Sequence, residues 1–80
     1  FNGSTTIQYN VDKETNISLS IYNLLGQKVR TIYSGIREPG LYQFHWDATD
    51  DSGRELGTGI YILKMQSAET VATRKMIYMR

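Results

Sequence analysis

From Tyr42 to Trp46 every second residue carries a large ring. Tyr42, Phe44 and Trp46 fall on one side of an extended chain, and Gln43, His45 and Asp47 on the other. Side chains of a strand alternate between two faces, so this spacing demands a half-buried strand. The stretch GLYQFHWDATDDSGRELGTGIY then breaks into a turn of Asp, Ser and Gly and restarts with Tyr61, Leu63 and Met65 in the same alternation. It is expected to form a hairpin-like unit that nucleates the core, with the single Trp of the chain inside it.

The rest of the chain repeats the same pattern. Ser4 to Val11 alternates Thr5, Ile7, Tyr9 and Val11 against polar residues, and Ile17 to Asn23 sets Ile17, Leu19 and Ile21 inward with Ser18, Ser20 and Tyr22 outward. Leu24-Leu25-Gly26-Gln27 fits a tight turn in which Gly26 supplies a positive φ. Lys28 to Ser34 follows as a strand whose Ile32 is out of phase, which calls for a bulge or for cover from outside the chain. Gly35 to Gly40 reads as a loop closed by Pro39-Gly40. Ala48 to Gly59 is a second, longer loop, followed by a strand from Ile60 to Gln66. Ser67 to Thr70 is short enough for a hairpin leading into Val71–Met79. That last strand is apolar on both faces, which is unusual for a sheet with one wet side. Leu24 to Ile32 is the only helix candidate, and Gly26 with β-branched Val29, Thr31 and Ile32 argues against it. Six strands, with room for a seventh, at intervals of ten to twelve residues or so predict an all-β fold. The expected architecture is an immunoglobulin-like or fibronectin-III-like antiparallel β-sandwich of about seven strands.

Size and charge narrow the function. Eighty residues make one domain, 1–80, and a chain this short buries about two-thirds of its unfolded surface. There is no cysteine, hence no disulfide and no thiolate metal site, and one histidine cannot build a histidine-rich site. Nine basic and eight acidic residues give a net charge of +1. This balance offers no field to attract nucleic acid or an acidic membrane. No apolar run is long enough to span a bilayer as a helix. The chain starts at Phe1 with no signal peptide, which suggests a piece of a longer protein.

Four carboxylates, Asp47, Asp50, Asp51 and Glu55, lie close together in the loop and make a weak calcium candidate. Their spacing is not that of an EF-hand, and Asp, Ser and Gly are the residues any tight turn needs. His45 stands on the outward face of its strand without a Ser or Cys nucleophile motif, so it is read as surface. The glycines Gly53, Gly57 and Gly59 lack the strand-then-helix setting of a nucleotide site. Trp46, Tyr42 and Tyr61 are candidates for a sugar-stacking platform, but their alternation assigns them first to core filling. Asn2-Gly3-Ser4 and Asn16-Ile17-Ser18 match glycosylation acceptors by letter alone. No constellation points to an enzyme, and no cofactor is expected.

A series of motifs falls in order along the chain: Phe1-Asn2, Thr5-Thr6-Ile7-Gln8-Tyr9, and Leu19 to Arg30 as LSIYNLLGQKVR. Then come Gly40, Trp46-Asp47, Asp50-Asp51-Ser52-Gly53-Arg54, Gly57-Thr58-Gly59-Ile60-Tyr61 and Thr73-Arg74-Lys75-Met76. The series resembles the carboxy-terminal sorting domain of type IX secretion cargo in its type A form. It is equally similar to the Ig-like domain of the flagellar hook-capping protein, to which that family is related. The resemblance implies a seven-stranded Ig-like domain at the end of a larger secreted protein, without catalytic activity. It implies outer-membrane secretion machinery and the preceding domain of the parent as partners. It also implies passage through the periplasm to the bacterial cell surface. An assembly domain of hook-cap type and an accessory carbohydrate-binding module are the alternatives. Of the residues that match, Gly26 and Gly59 are read as backbone necessities and Val29 and Tyr61 as core. Lys75, Ile77, Met79 and Arg80 are the expected contacts with a partner, on a final strand that forms an open edge.

Overall fold

The computed structural model describes the whole chain, Phe1–Arg80. Six strands follow one another and no helix forms: β1 (Thr5–Val11), β2 (Thr15–Asn23), β3 (Lys28–Arg37), β4 (Gly40–Trp46), β5 (Gly59–Ser67) and β6 (Val71–Tyr78). They build two antiparallel sheets, β1-β4 and β3-β2-β5-β6. The expected all-β sandwich is therefore found, with six strands.

The unit from Gly40 to Tyr61 is not a hairpin. β4 pairs with β1 in the small sheet, Trp46 opposite Thr5, whereas β5 lies between β2 and β6 in the large one. The turn-rich loop between them carries the chain from one sheet to the other. The reason is register: the rings of β4 and the inward residues of β5 face each other across the sandwich instead of lying side by side. Trp46 meets Tyr61 edge-on at 5.8 Å and Phe1 at 5.6 Å. Phe1 in turn stands 5.1 Å from Tyr78. Ile7, Leu19, Ile21, Ala48 and Leu63 complete the buried cluster. Each of these side chains larger than Ala48 gains roughly 1.5–3 kcal/mol from leaving water. The ring series is graded: Trp46 is wholly buried (0% exposed), Phe44 is half-buried against the core, and Tyr42 sits at the end of the sandwich.

The out-of-phase Ile32 is a bulge. Tyr33 pairs with Leu19 and Thr31 with Ser20, which leaves Ile32 unpaired. A second irregularity skips Val29 between the Ile21–Arg30 and Tyr22–Lys28 pairs. Both skipped residues pack against the core, so the two bulges recover for the interior side chains that a regular strand would turn outward.

β3 also runs further than its sequence suggests. Gly35 pairs with Ile17, and only Glu38 and Pro39 separate β3 from β4. That corner is held by Arg37, whose guanidinium lies 4.1 Å from the Tyr33 ring centre and 3.9 Å from that of Tyr42. The Tyr33 and Tyr42 hydroxyls donate to the carbonyls of Ile36 and Glu38. Gly26 has the expected positive φ, +81°, in a turn whose backbone amides at Leu25 and Gln27 donate to the Asn23 side chain. Gly59 does not behave as expected. Its φ is ordinary, and a Cβ there would meet nothing, so it is no backbone necessity. The strained position is instead Ala48, buried at φ +60° beside Trp46.

Candidate functional site

The carboxylates of the acidic loop do not converge. Asp50 closes the turn on itself, accepting from the Ser52 and Arg54 amides at 2.9 Å each and from Arg54 Nε at 3.1 Å. These donors, the Arg54 amide foremost, hold its carboxyl below the usual carboxylate range. Asp47 accepts from the Thr49 hydroxyl at 2.6 Å, which lowers it too. Asp51 reaches the neighbouring sheet: its amide donates to the Val29 carbonyl and its carboxylate accepts from the Thr31 amide. Glu55 takes Arg80 Nη2 at 2.7 Å. Each carboxylate thus has its own donor on the chain, and no three metal-ligating side chains come together.

What the loop does is structural. Asp51 pairs with the outer edge of β3 as a strand residue would, at the point where the bulges distort it. Arg30 adds bonds to the Thr49 hydroxyl and the Asp50 carbonyl. Trp46 Nε1 donates to the Thr49 carbonyl. The loop therefore plugs one edge of the four-stranded sheet and roofs the Trp at the same time.

The aromatic platform dissolves for a similar reason. Trp46 has no open face, and Tyr42 carries Tyr9 stacked on it at 5.4 Å and Arg37 at 3.9 Å. Burial pushes the phenols of Tyr9 and Tyr61 above their ordinary values, and Tyr61 donates to the Gly57 carbonyl at 2.6 Å. His45 stands exposed on the outer face of the small sheet, 3.4 Å from the Thr6 hydroxyl.

The two outer faces differ sharply. Thr6, Gln8, Asn10, Gln43 and His45, with Leu41 at one end, make up that of the small sheet. On the large sheet the outward rows are Tyr22–Ile62–Lys75 and Ile60–Ile77, with Lys64–Thr73 beside them; Ser20, which the alternation set outward, lies in that last row by register but is buried. Leu24 and Ile77 are exposed there, 67% and 52%, and Met79 follows one residue past the strand. Lys64 Nζ sits 5.9 Å from the Tyr22 ring centre. Sequence reasoning picked out Lys75, Ile77 and Met79 from this face but missed Tyr22, Leu24, Ile60 and Ile62. The signal was present in β5, where Ile60 and Ile62 alternate with buried Tyr61 and Leu63. Arg80 belongs elsewhere: its amide donates to the Thr58 hydroxyl and its guanidinium to Glu55.

A family model described as the FlgD Ig-like domain matches residues 2–70. The chain belongs to the FlgD Ig-like domain family. β6 and Phe1 lie outside the matched segment. Among solved structures, FlgD from P. aeruginosa superposes with a TM-score of 0.66 and 24% identity, over 92% of this chain and 58% of that one. This likeness shows the fold, and the chain spans little more than half of that FlgD. No curated protein matches the chain. No helix is long and apolar enough to cross a membrane.

Proposed function

We propose that this FlgD-type domain is a non-catalytic protein-interaction module serving assembly, and that it makes contact through the outer face of the four-stranded sheet. The supporting observation is the contrast between the outer faces. A sheet that needed only solvent on that side would alternate to polar residues, as the small sheet does. The large sheet instead presents Tyr22, Leu24, Ile60, Ile62 and Ile77 among Lys64 and Lys75, an apolar surface with cationic points of the kind that marks a protein contact. The matching partner surface is apolar with an acidic border.

The test is a photo-crosslinking residue placed at Ile77, and separately at Gln43 on the polar face, in the full-length protein in cells. Protein adducts at position 77 and none at 43 are expected. Adducts at 43 alone, or at neither, overturn the assignment.

A second reading is export: the domain as a sorting and anchoring module recognised by outer-membrane secretion machinery and delivered to the cell surface. The motif series from Leu19 to Arg30 supports it, together with the exposed Lys75, Ile77 and Met79. Removing residues 71–80 is a poor test, because Tyr78 is core and its loss unfolds the domain. Ile77→Asp with Met79→Asp leaves the core intact. Undiminished export of a full-length parent carrying both changes removes the sorting role of this face.

A further inference from the structure

The large sheet has two edges. The loop bonds that of β3 at Val29 and Thr31, and β6 is covered only at its end, by Phe1. The Phe1 nitrogen donates to the Ile77 carbonyl at 2.6 Å, and the Met79 amide donates to the Phe1 carbonyl at 2.8 Å. One residue bonded to the neighbours on both sides of its opposite number is the signature of a parallel pair, here Phe1 beside Tyr78. Every other interstrand pairing in the molecule is antiparallel. The Phe1 ring points inward between Trp46 and Tyr78, as the ring of a strand residue at that place would.

The same bonds show which groups of β6 face outward. Because the carbonyl of Ile77 and the amide of Met79 point away from β5, so do the main-chain groups of the alternate residues Val71, Thr73 and Lys75. This row is a template for one more strand. Beneath it the sandwich is open. The small sheet has two strands against four, and a groove of about 250 Å³ lies between β1 and β6, lined by Tyr9, Leu19, Leu63, Met65, Ala72 and Arg74 among others.

We propose that the β6 edge takes an extended strand running parallel to it, supplied by polypeptide joined to the Phe1 nitrogen, and that alternate side chains of this strand close the groove. Phe1 fixes the direction and the register. The second residue before Phe1 sits beside Met76 and the fourth beside Arg74, both pointing inward, so these are the places for apolar side chains. A segment tethered at Phe1 begins in register with its first two bonds made, which gives it a large advantage in effective concentration over a free peptide. The outer-face surface proposed above stays open, because an added strand extends the sheet sideways.

Three six-residue extensions at the amino terminus of this chain test the proposal. One places Val second and fourth before Phe1 among Thr and Lys; one moves the two Val residues to the first and third places; one is Gly-Ser. Amide hydrogen exchange is read at Thr73, Lys75 and Ile77. The in-phase extension is expected to slow exchange at all three by about tenfold or more relative to Gly-Ser, with a higher Tm and no dependence on protein concentration. Equal protection by the two Val extensions, or none by either, overturns the register. Protection that grows with protein concentration overturns the tether and assigns the edge to a second copy.

Discussion

Trp46 shows how much one side chain carries in a domain of 80 residues. It is fully buried, bonded through Nε1 to the Thr49 carbonyl and packed edge-on against Tyr61. Trp46→Phe removes part of the ring and leaves that carbonyl without its donor. The combined cost is about 2–4 kcal/mol, set against a total of roughly 4–12 kcal/mol for a chain of this length. Urea unfolding should show a midpoint lowered by about a sixth or more with an unchanged slope; a midpoint within a tenth of the parent's would mean the indole is not what the two sheets share. Ala48 belongs to the same site. It holds a left-handed conformation in a buried position because the Leu56 amide bonds its carbonyl. No feature of the sequence sets it apart from any other loop alanine.

At the level of strands and turns, what was legible followed from local chemistry. Alternation marked β1, β2 and β5, and Gly26 marked the β2–β3 turn. What was not legible depended on partners distant in sequence. The Trp46 strand and the Tyr61 strand have the same period, and nothing local says that they belong to different sheets. Ile32 declared a phase error, but Val29 did not, because its bulge is visible only against β2. The acidic loop looked like a ligand set in part because two of its donors, Thr31 to Asp51 and Arg80 to Glu55, lie well away in sequence. The glycine pair separates these two kinds of information. Gly26→Ala meets no atom yet must hold φ at +81°, so it should cost about 1 kcal/mol. Gly59→Ala meets no atom at an ordinary φ, so it should stabilise the domain by about 0.4–1 kcal/mol by restricting the unfolded chain. Paired thermal unfolding of the two variants decides it; equal losses would mean that Gly59 is constrained by something other than its backbone.

For the molecule as a whole, the acidic loop is the one segment that touches β4, the β3 edge and, through Glu55 and Arg80, the end of the chain, so its titration should be felt globally. The Thr49 hydroxyl at Asp47 and the Arg54 and Ser52 amides at Asp50 favour the ionised carboxylates in the folded state. Their folded pKa values lie below the unfolded ones, so the folded state binds fewer of these protons. The stability they contribute is fully present above the ordinary carboxylate range, near pH 4, and is lost as pH falls through the lower folded values. The ion pairs Lys13–Glu69 and Arg80–Glu55 are largely exposed and add little stability. Unfolding free energy should therefore be flat from about pH 7 to 5 and decline below. Asp50→Asn keeps an oxygen for the two amides but cannot titrate. It should start less stable at neutral pH and decline less steeply in acid, so that the two curves approach each other at low pH. Parallel curves across the acid range would place the titrating groups elsewhere and leave the loop a neutral plug. Convergence would show that protonation frees the Asp50 turn that presents Asp51 to β3. Acid would then open that edge of the sheet while Phe1 still holds the end of the other.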